Sequence, residues 1–303
     1  MQETIVRLIE EAGLCSVVLS EPMSRHTTFK IGGIADMMIE PKSASGLLEA
    51  ISVLKRFEIP YFVMGNGSNL LVGDKGIRGA VIKISNNMSA CEVSENTIYA
   101  ESGIKLSRLA NTALRNELEG LEFASGIPGT LGGAIFMNAG AYGEEMKGII
   151  ADVTYIDTDR EEIVTIPCDE CEFGYRTSIF GKNNAIIVGA TLRLKKGNPD
   201  DIRAKMNDLS ARRSDKQPLD KPSAGSTFKR PEGYFAGALI QDSGLMGCSV
   251  GGAEVSTKHA GFVINAGGAT ASDVAALIEK IQGVVEDKYG VRLEPEVKFV
   301  GEF

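Results

Sequence analysis

A chain of 303 residues is longer than one hydrophobic core usually serves, so two or three domains are expected. Its apolar fraction of 43% is that of a globular protein, and no apolar run approaches the roughly 20 residues of a membrane span, which excludes an integral membrane protein. The formal charge of −8 argues against nucleic acid as a partner.

In chain order, Ile5, Leu8, Ile9 and Ala12 recur at helical spacing among Glu3, Glu10 and Glu11, which predicts an acidic amphipathic helix over Met1 to Gly13, not a signal peptide. A strand near Met37 to Glu40, a helix over Ser43 to Phe57 and a strand at Tyr61 to Met64 form a β-α-β unit. Strands follow at 80–84 and 97–101, then a helix over 105–116 with Leu106, Leu109, Ala113 and Leu114 on one face. Strands at 149–156, 162–166 and 185–194 complete a middle part without strict alternation, which favours α+β over a doubly wound sheet. Lys195 to Asp200 is the candidate linker. Beyond it lie a helix over 200–213, a strand at 262–265, a helix over 272–289 and a last strand from Leu293 to Val300.

Five cysteines, at 15, 91, 168, 171 and 248, with no secretory signal imply a reduced, cytoplasmic setting. Cys168 and Cys171 form the one close pair; a zinc site needs two further ligands, so they are read as structural and no metal is expected.

Charge is uneven. Between Arg203 and Arg230 eight basic residues face three acidic ones, a balance of +5 that leaves −13 for the remainder. A basic island on an acidic protein suits a small anionic ligand such as a nucleotide diphosphate; a helix with a solvated basic face is the equal alternative.

Thirty-five glycines are well above a ~7% background, and they cluster. Gly65-Asn66-Gly67-Ser68-Asn69-Leu70 follows a strand but fails the dinucleotide fingerprint, because leucine stands where the third glycine belongs and no acid lies about 20 residues on. It reads either as an anion-binding nest or as an ordinary tight turn. From Gly126 to Gly143 there are six glycines in 18 residues with almost no charge. Pro128 there suits the first turn of a short helix, and glycines allow a backbone to approach a bulky ligand closely. A third pair closes Arg25-His26-Thr27-Thr28-Phe29-Lys30-Ile31-Gly32-Gly33.

Six segments in order resemble the UDP-N-acetylenolpyruvoylglucosamine reductase family: His26 to Gly33, Gly65 to Leu71, Ile127 to Gly143, Gly174 to Phe180, Ala224 to Lys229 and Leu293 to Val297. The resemblance implies an α+β protein with a two-part FAD-binding domain of the vanillyl-alcohol-oxidase type, over residues 1–75 and 76–197. An α+β substrate-binding domain would occupy 198–303, with the last strand returning Glu296 to the active site. The chain is similar to the shorter class, which lacks a loop that sets a tyrosine over the substrate.

The family activity is a two-step reduction. NADPH reduces non-covalently bound FAD and leaves, and the enolpyruvyl ether of UDP-N-acetylglucosamine then accepts hydride from flavin N5 at C3 and a proton at C2. Ser226 matches the proton donor, Arg176 the partner of the growing carboxylate charge, and Glu296 the residue that helps stabilise the enol. Periodicity alone would make Glu296 solvent-facing. FAD contacts map to Gly65, Asn66, Gly67, Ser68, Asn69, Leu70, Gly126, Pro128, Gly129, Thr130, Gly132, Gly133, Asn138, Ala139, Gly140 and Gly143. Tyr175, Arg213 and Lys216 match substrate contacts, which gives the basic island a purpose. His26 and His259, the two histidines, are assigned no catalytic role, and a monomer is expected. The competing readings are another flavin enzyme of the same superfamily and a non-catalytic nucleotide-binding module; the latter leaves Arg176, Ser226 and Glu296 without a purpose.

Overall fold

The computed structural model describes residues 2–11 and 13–303, so Met1 and Ala12 of the expected first helix lie outside the described residues. The chain groups into two compact units built from interleaved stretches: one takes residues up to 18, 38–66 and 80–212, the other 19–37, 67–79 and 213–303. This cut differs from three consecutive segments, and the chain passes from the first unit to the second inside the helix Pro199–Lys216.

The expected β-α-β unit is present as Ile34–Pro41, Ala44–Arg56 and Tyr61–Met64. Ser43 caps the helix, its side chain accepting from the Gly46 N–H at 3.1 Å. The two strands are not neighbours: the sheet is ordered Cys15–Pro22, Ile34–Pro41, Ile77–Lys83, Tyr61–Met64. Tyr61–Met64 runs parallel to Ile77–Lys83, with Tyr61 opposite Ala80.

The rest of the first unit is dominated by a five-stranded antiparallel sheet, ordered Glu162–Pro167, Ile150–Asp157, Ala185–Arg193, Thr97–Glu101, Cys91–Ser94. Its central strand is buried from Ile186 to Ala190 without alternation, as a strand covered on both faces must be. The helix Leu106–Arg115 buries Leu106, Leu109, Ala110, Ala113 and Leu114 in the same core as Ile98, Ala100 and Val153. Segment 195–200 is not a loose linker. Lys195–Lys196 pairs with Leu118–Glu119, and the Gly197 N–H donates to Glu117 O at 2.9 Å.

In the second unit, Lys298–Val300 runs parallel to Leu70–Val72, and the strands Ser249–Val250, Ala253–Val255 and Val263–Asn265 form an antiparallel sheet. The helix Ala271–Tyr289 buries Val274, Leu277, Ile278, Ile281 and Val285. Thr270 and Asp273 close a capping box at its start, and Gly290, at φ +67, ends it. Of the expected last strand, Lys298–Val300 forms a regular strand, while Pro295 makes only an isolated antiparallel bridge to Phe228. Leu293 and Val297 are both buried while Phe299 is exposed, so the alternation that predicted the longer strand does not hold. Gly32 lies at φ +137 where a Cβ would stand 2.9 Å from both Met23 and Val72 side chains, so the Gly32-Gly33 pair serves close packing in this unit. Among the described residues no helix is long and apolar enough to cross a membrane.

Candidate active site

Strand Tyr61–Met64 delivers the chain into the loop Gly65 to Asn69, where Gly67 adopts φ +62. Among the described residues none accepts a hydrogen bond from the backbone N–H groups of Gly65, Asn66, Gly67, Ser68 or Asn69. Five consecutive donors left by the protein are what an anion requires of a loop.

Within the first unit this loop meets the second glycine run. A Cβ on Gly65 would lie 2.2 Å from Thr130 Oγ1, and Asn66 Nδ2 donates to Pro128 O at 2.5 Å. The run itself is anchored like an extra strand: Leu106 N donates to Gly129 O, Leu131 N to Ile104 O and Gly132 N to Ser102 O, at 3.1, 2.9 and 2.8 Å. The N–H groups of Gly126, Gly129, Thr130 and Gly133 meet no acceptor among the described residues. Small residues and unspent N–H donors on two touching stretches fit the pyrophosphate of a dinucleotide cofactor such as FAD.

Not every glycine of the run belongs to that donor set. Pro128 lies two residues before the cap Thr130 of the helix Leu131–Phe136, not in its first turn as expected. Gly140–Ala141 pairs with Glu144–Glu145 across a two-residue turn in which Tyr142 and Gly143 adopt φ +57 and +88, a conformation that requires positive φ at both positions. Gly140 is needed because a Cβ there would lie 2.6 Å from Glu144 O. Asn138, expected to touch the cofactor, has 0% of its surface exposed and bonds protein on both sides of its amide. Complete enclosure leaves it no face for a ligand.

Arg176 sits at φ +56 in the tight turn from Gly174 to Thr177, whose end residues exchange hydrogen bonds of 3.0 and 3.3 Å. Its guanidinium donates to Gly140 O at 3.5 Å and lies 5.2 Å from the centre of the Tyr175 ring, which is 55% exposed. A half-buried, permanently charged fork backed by an aromatic face suits a carboxylate partner.

In the second unit a short antiparallel ladder that includes Glu296 begins at Thr227, the residue after Ser226. Phe228 is opposite Pro295, the Glu296 N–H donates to Thr227 O at 2.8 Å, and Lys229 N donates to Glu294 O at 2.9 Å. Ser226 is exposed at the open end, after Gly225 at φ +79 and before the buried Thr227. Thr227 is fixed by its N–H to Gly261 O and by its Oγ1 accepting from Val263 N, both at 2.9 Å. Glu294 is exposed and ion-paired with Lys229, whereas Glu296 is half-buried. The two glutamates that periodicity treats alike therefore differ in exposure: Glu294 is at the surface beside a cation, and Glu296 is half-buried.

Arg213 and Lys216 stand three apart on the last turns of Pro199–Lys216, half-buried and exposed respectively. The basic island is smaller than its count suggests. Lys205 is bound by Glu144 at 3.0 Å and by the buried Glu122 at 3.5 Å, and Arg212 pairs with Asp208 at 2.8 Å. His26 Nε2 contacts Glu21 Oε1 at 2.9 Å, a local partner. His259 Nδ1 accepts from Gly261 N at 3.1 Å and packs edge-on to Phe262; burial pushes its pKa down. Burial likewise pushes the Cys171 thiol up to about 12 and raises Cys168, as expected of structural cysteines.

The sequence did not single out Thr227 and offered Asn69 and Asn138 only as cofactor contacts, not as positioning residues. Asn138, Thr227 and Asn69 act through bonds to backbone far along the chain, and no local pattern signals such bonds.

Residues 35–165 match a family model described as an FAD binding domain, and residues 217–300 match the C-terminal domain of UDP-N-acetylenolpyruvoylglucosamine reductase. The chain is 54% identical over 284 residues to the UDP-N-acetylenolpyruvoylglucosamine reductase of Caldanaerobacter subterraneus subsp. tengcongensis, covering 94% of this chain and 93% of that one. It is 47% identical to that of Clostridioides difficile over 99% of both chains. The crystal structure of the Thermus caldophilus enzyme superposes with a TM-score of 0.81 at 32% identity, covering 94% of this chain and 98% of that one. Phl p 4, a grass pollen allergen with glucose dehydrogenase activity, shares the fold alone, at a TM-score of 0.50 and 16% identity over 64% of this chain and 44% of its own. An FAD-binding part followed by a C-terminal α+β part is the fold class the sequence led us to expect.

Proposed function

The chain belongs to the UDP-N-acetylenolpyruvoylglucosamine reductase family, FAD-dependent oxidoreductases of peptidoglycan precursor synthesis, and from that premise we propose how its residues divide the work. FAD supplies, when bound, hydride carriage from NADPH to C3 of the enolpyruvyl group of UDP-N-acetylglucosamine enolpyruvate.

The unspent N–H groups of Gly65 to Asn69, with Leu70 behind them, and those of Gly126, Gly129, Thr130 and Gly133 hold the cofactor non-covalently. Pro128 and Gly132 shape that surface, and Ala139, Gly140 and Gly143 border it. Arg176 pairs with the substrate carboxylate as negative charge grows there, and an interaction that strengthens on the way to the transition state accelerates the step. Ser226 delivers the proton to C2. A serine hydroxyl is a weak acid, but a carbanion-like centre is a strong base, so placement matters more than acidity. Glu296 stabilises the enol form of the intermediate. Tyr175, Arg213 and Lys216 meet the remainder of the substrate, the two cations its diphosphate or carboxylate. Functionally we divide the chain into 1–75 and 76–197 for the cofactor and 198–303 for the substrate, in a monomeric cytoplasmic enzyme.

The observation that supports this reading is the pairing of Thr227, the residue after Ser226, with the backbone of Glu296. The experiment is anaerobic: NADPH-reduced holoenzyme is mixed with UDP-N-acetylglucosamine enolpyruvate and flavin absorbance is followed. Reoxidation that requires the enolpyruvyl substrate is expected. Reoxidation by dioxygen alone would assign the chain to another flavin enzyme, and a protein that never binds FAD would remove both readings.

A further inference from the structure

We propose that Asn138 is the positioning residue of Arg176; this rests on the role given to Arg176 above. Asn138 is fully buried, at 0% exposure, and its backbone is held at φ +44. Its Nδ2 donates to Gly174 O at 3.1 Å, and its Oδ1 accepts from Lys147 N at 2.9 Å. Gly174 is the base of the turn that presents Arg176. Lys147 lies two residues beyond the end of the hairpin Gly140 to Glu145, and Gly140 O is the atom that receives the guanidinium.

One amide therefore fixes both ends of the arginine's support, the turn it departs from and the hairpin its guanidinium rests on. An asparagine is suited to this on two counts. It offers a donor and an acceptor on one rigid plane, and it tolerates left-handed backbone better than other side chains. Ser178 adds a second tie in the same place, its Oγ donating to Phe136 O at 2.7 Å. The turn is thus bound on either side of Arg176 to the segment 136–138. Arg176 itself bends through φ +56, a conformation that persists only where its surroundings impose it.

The charge that Arg176 meets grows only while the substrate is being reduced. Loosening Asn138 should therefore slow that half-reaction and leave reduction of the cofactor by NADPH unchanged. Asn138→Asp keeps the acceptor for Lys147 and the left-handed tolerance but turns an oxygen toward Gly174 O. Asn138→Gly keeps the backbone relaxed and removes both bonds.

The test uses holoenzyme in rapid-mixing experiments that follow the two half-reactions separately, with Arg176→Ala and the double variant alongside. Flavin reduction by NADPH within twofold of the parent is expected, with substrate-dependent reoxidation slowed by ~10- to 100-fold, the scale of misplacement by about an ångström. In the double variant the two losses should not multiply, because a misplaced arginine and an absent one fail at the same step. Hydrogen exchange on the cofactor-free protein gives an independent readout: the amides of 174–177 should exchange faster in Asn138→Asp while those of the helix Leu106–Arg115 are unchanged.

Equal slowing of both half-reactions, multiplying losses, or unchanged exchange at 174–177 would each overturn the proposal. If Asn138→Asp does not fold, Asn138→Gly answers the same questions. If Arg176→Ala reoxidises normally with substrate, the role of Arg176 is wrong; faster exchange at 174–177 would still identify Asn138 as the support of that turn, which separates the two failures.

Discussion

Asn69 Nδ2 donates to the backbone carbonyl of Glu296 at 3.1 Å, and the carbonyl of Asn69 accepts from Lys298 N at 2.9 Å. The loop proposed to carry the cofactor phosphates is thereby stitched to both sides of Val297, next to the proposed enol partner. Asn69→Leu removes the side-chain bond and leaves Glu296 O without its donor, which costs about 1 kcal/mol. We expect a lower urea midpoint and faster amide exchange over 296–300; unchanged exchange there would show that the loop does not hold Glu296 in place.

Ser226→Ala separates electron transfer from proton transfer. NADPH should reduce the flavin at the parent rate, while product formation falls by ~10² to 10⁴, the usual worth of general-acid catalysis. Ser226 is exposed, so the variant removes an oxygen without disturbing buried packing. Normal turnover in this variant would move the proton donor elsewhere.

Burial lowers the His259 pKa from its ordinary 6.5; a backbone hydrogen bond opposes this, and the charge of Lys216 adds to it. The folded state then binds its proton more weakly than the unfolded chain. Stability from the neutral ring is complete above about pH 6.5 and falls as pH drops toward the folded pKa. Below that value the loss levels off. His259→Gln should flatten the dependence of the thermal midpoint between pH 7 and 5 at the acid end, and an unchanged slope would locate the acid sensitivity in other groups.

Asp74 caps a helix almost two hundred residues away in sequence. Its carboxylate accepts from Ala271 N, Ser272 N and Ser272 Oγ at 2.7, 2.9 and 2.6 Å. Burial opposes the charge, but these three bonds outweigh it and hold the carboxyl below its usual range. Asp74→Ala should cost about 1 to 2 kcal/mol, as loss of a helix cap does, with the deficit shrinking in acid as the parent carboxylate is protonated. A full-sized difference persisting in acid would mean that charge is not what binds the helix start.

Local order was legible wherever a local pattern decides it. Tyr61–Met64 and Thr97–Glu101 are strands over the residues expected, and Leu106–Arg115 differs from expectation by one residue at each end. Long-range pairing was not. Ile77–Lys83 enters the sheet between two strands that precede it, and Cys15–Pro22 extends the same sheet without an alternating pattern to announce it. Ile150–Asp157 buries Ile150, Val153 and Ile156 at intervals of three because its register shifts twice against its neighbour. At the site, residue types such as Arg176 and Ser226 could be singled out by resemblance, but Asn138 sits in Met137-Asn138-Ala139-Gly140, where nothing local shows that its amide joins a hairpin to a turn.

The parallel pairing of Lys298–Val300 with Leu70–Val72 fixes when the second unit can exist during synthesis. Its first two stretches leave the ribosome early, yet Leu71 waits for Leu293 and Val297 to complete its core, and Asp74 waits for the helix it caps. A chain halted before residue 293 has made the whole first unit and the serine at 226 but cannot close the ladder to Thr227. Residues 213–303 expressed alone lack Phe29, Ile31 and Leu71 from the core they share. The last dozen residues act as a latch, and Glu296, the proposed enol partner, is brought in by the same closure that completes the core of the second unit.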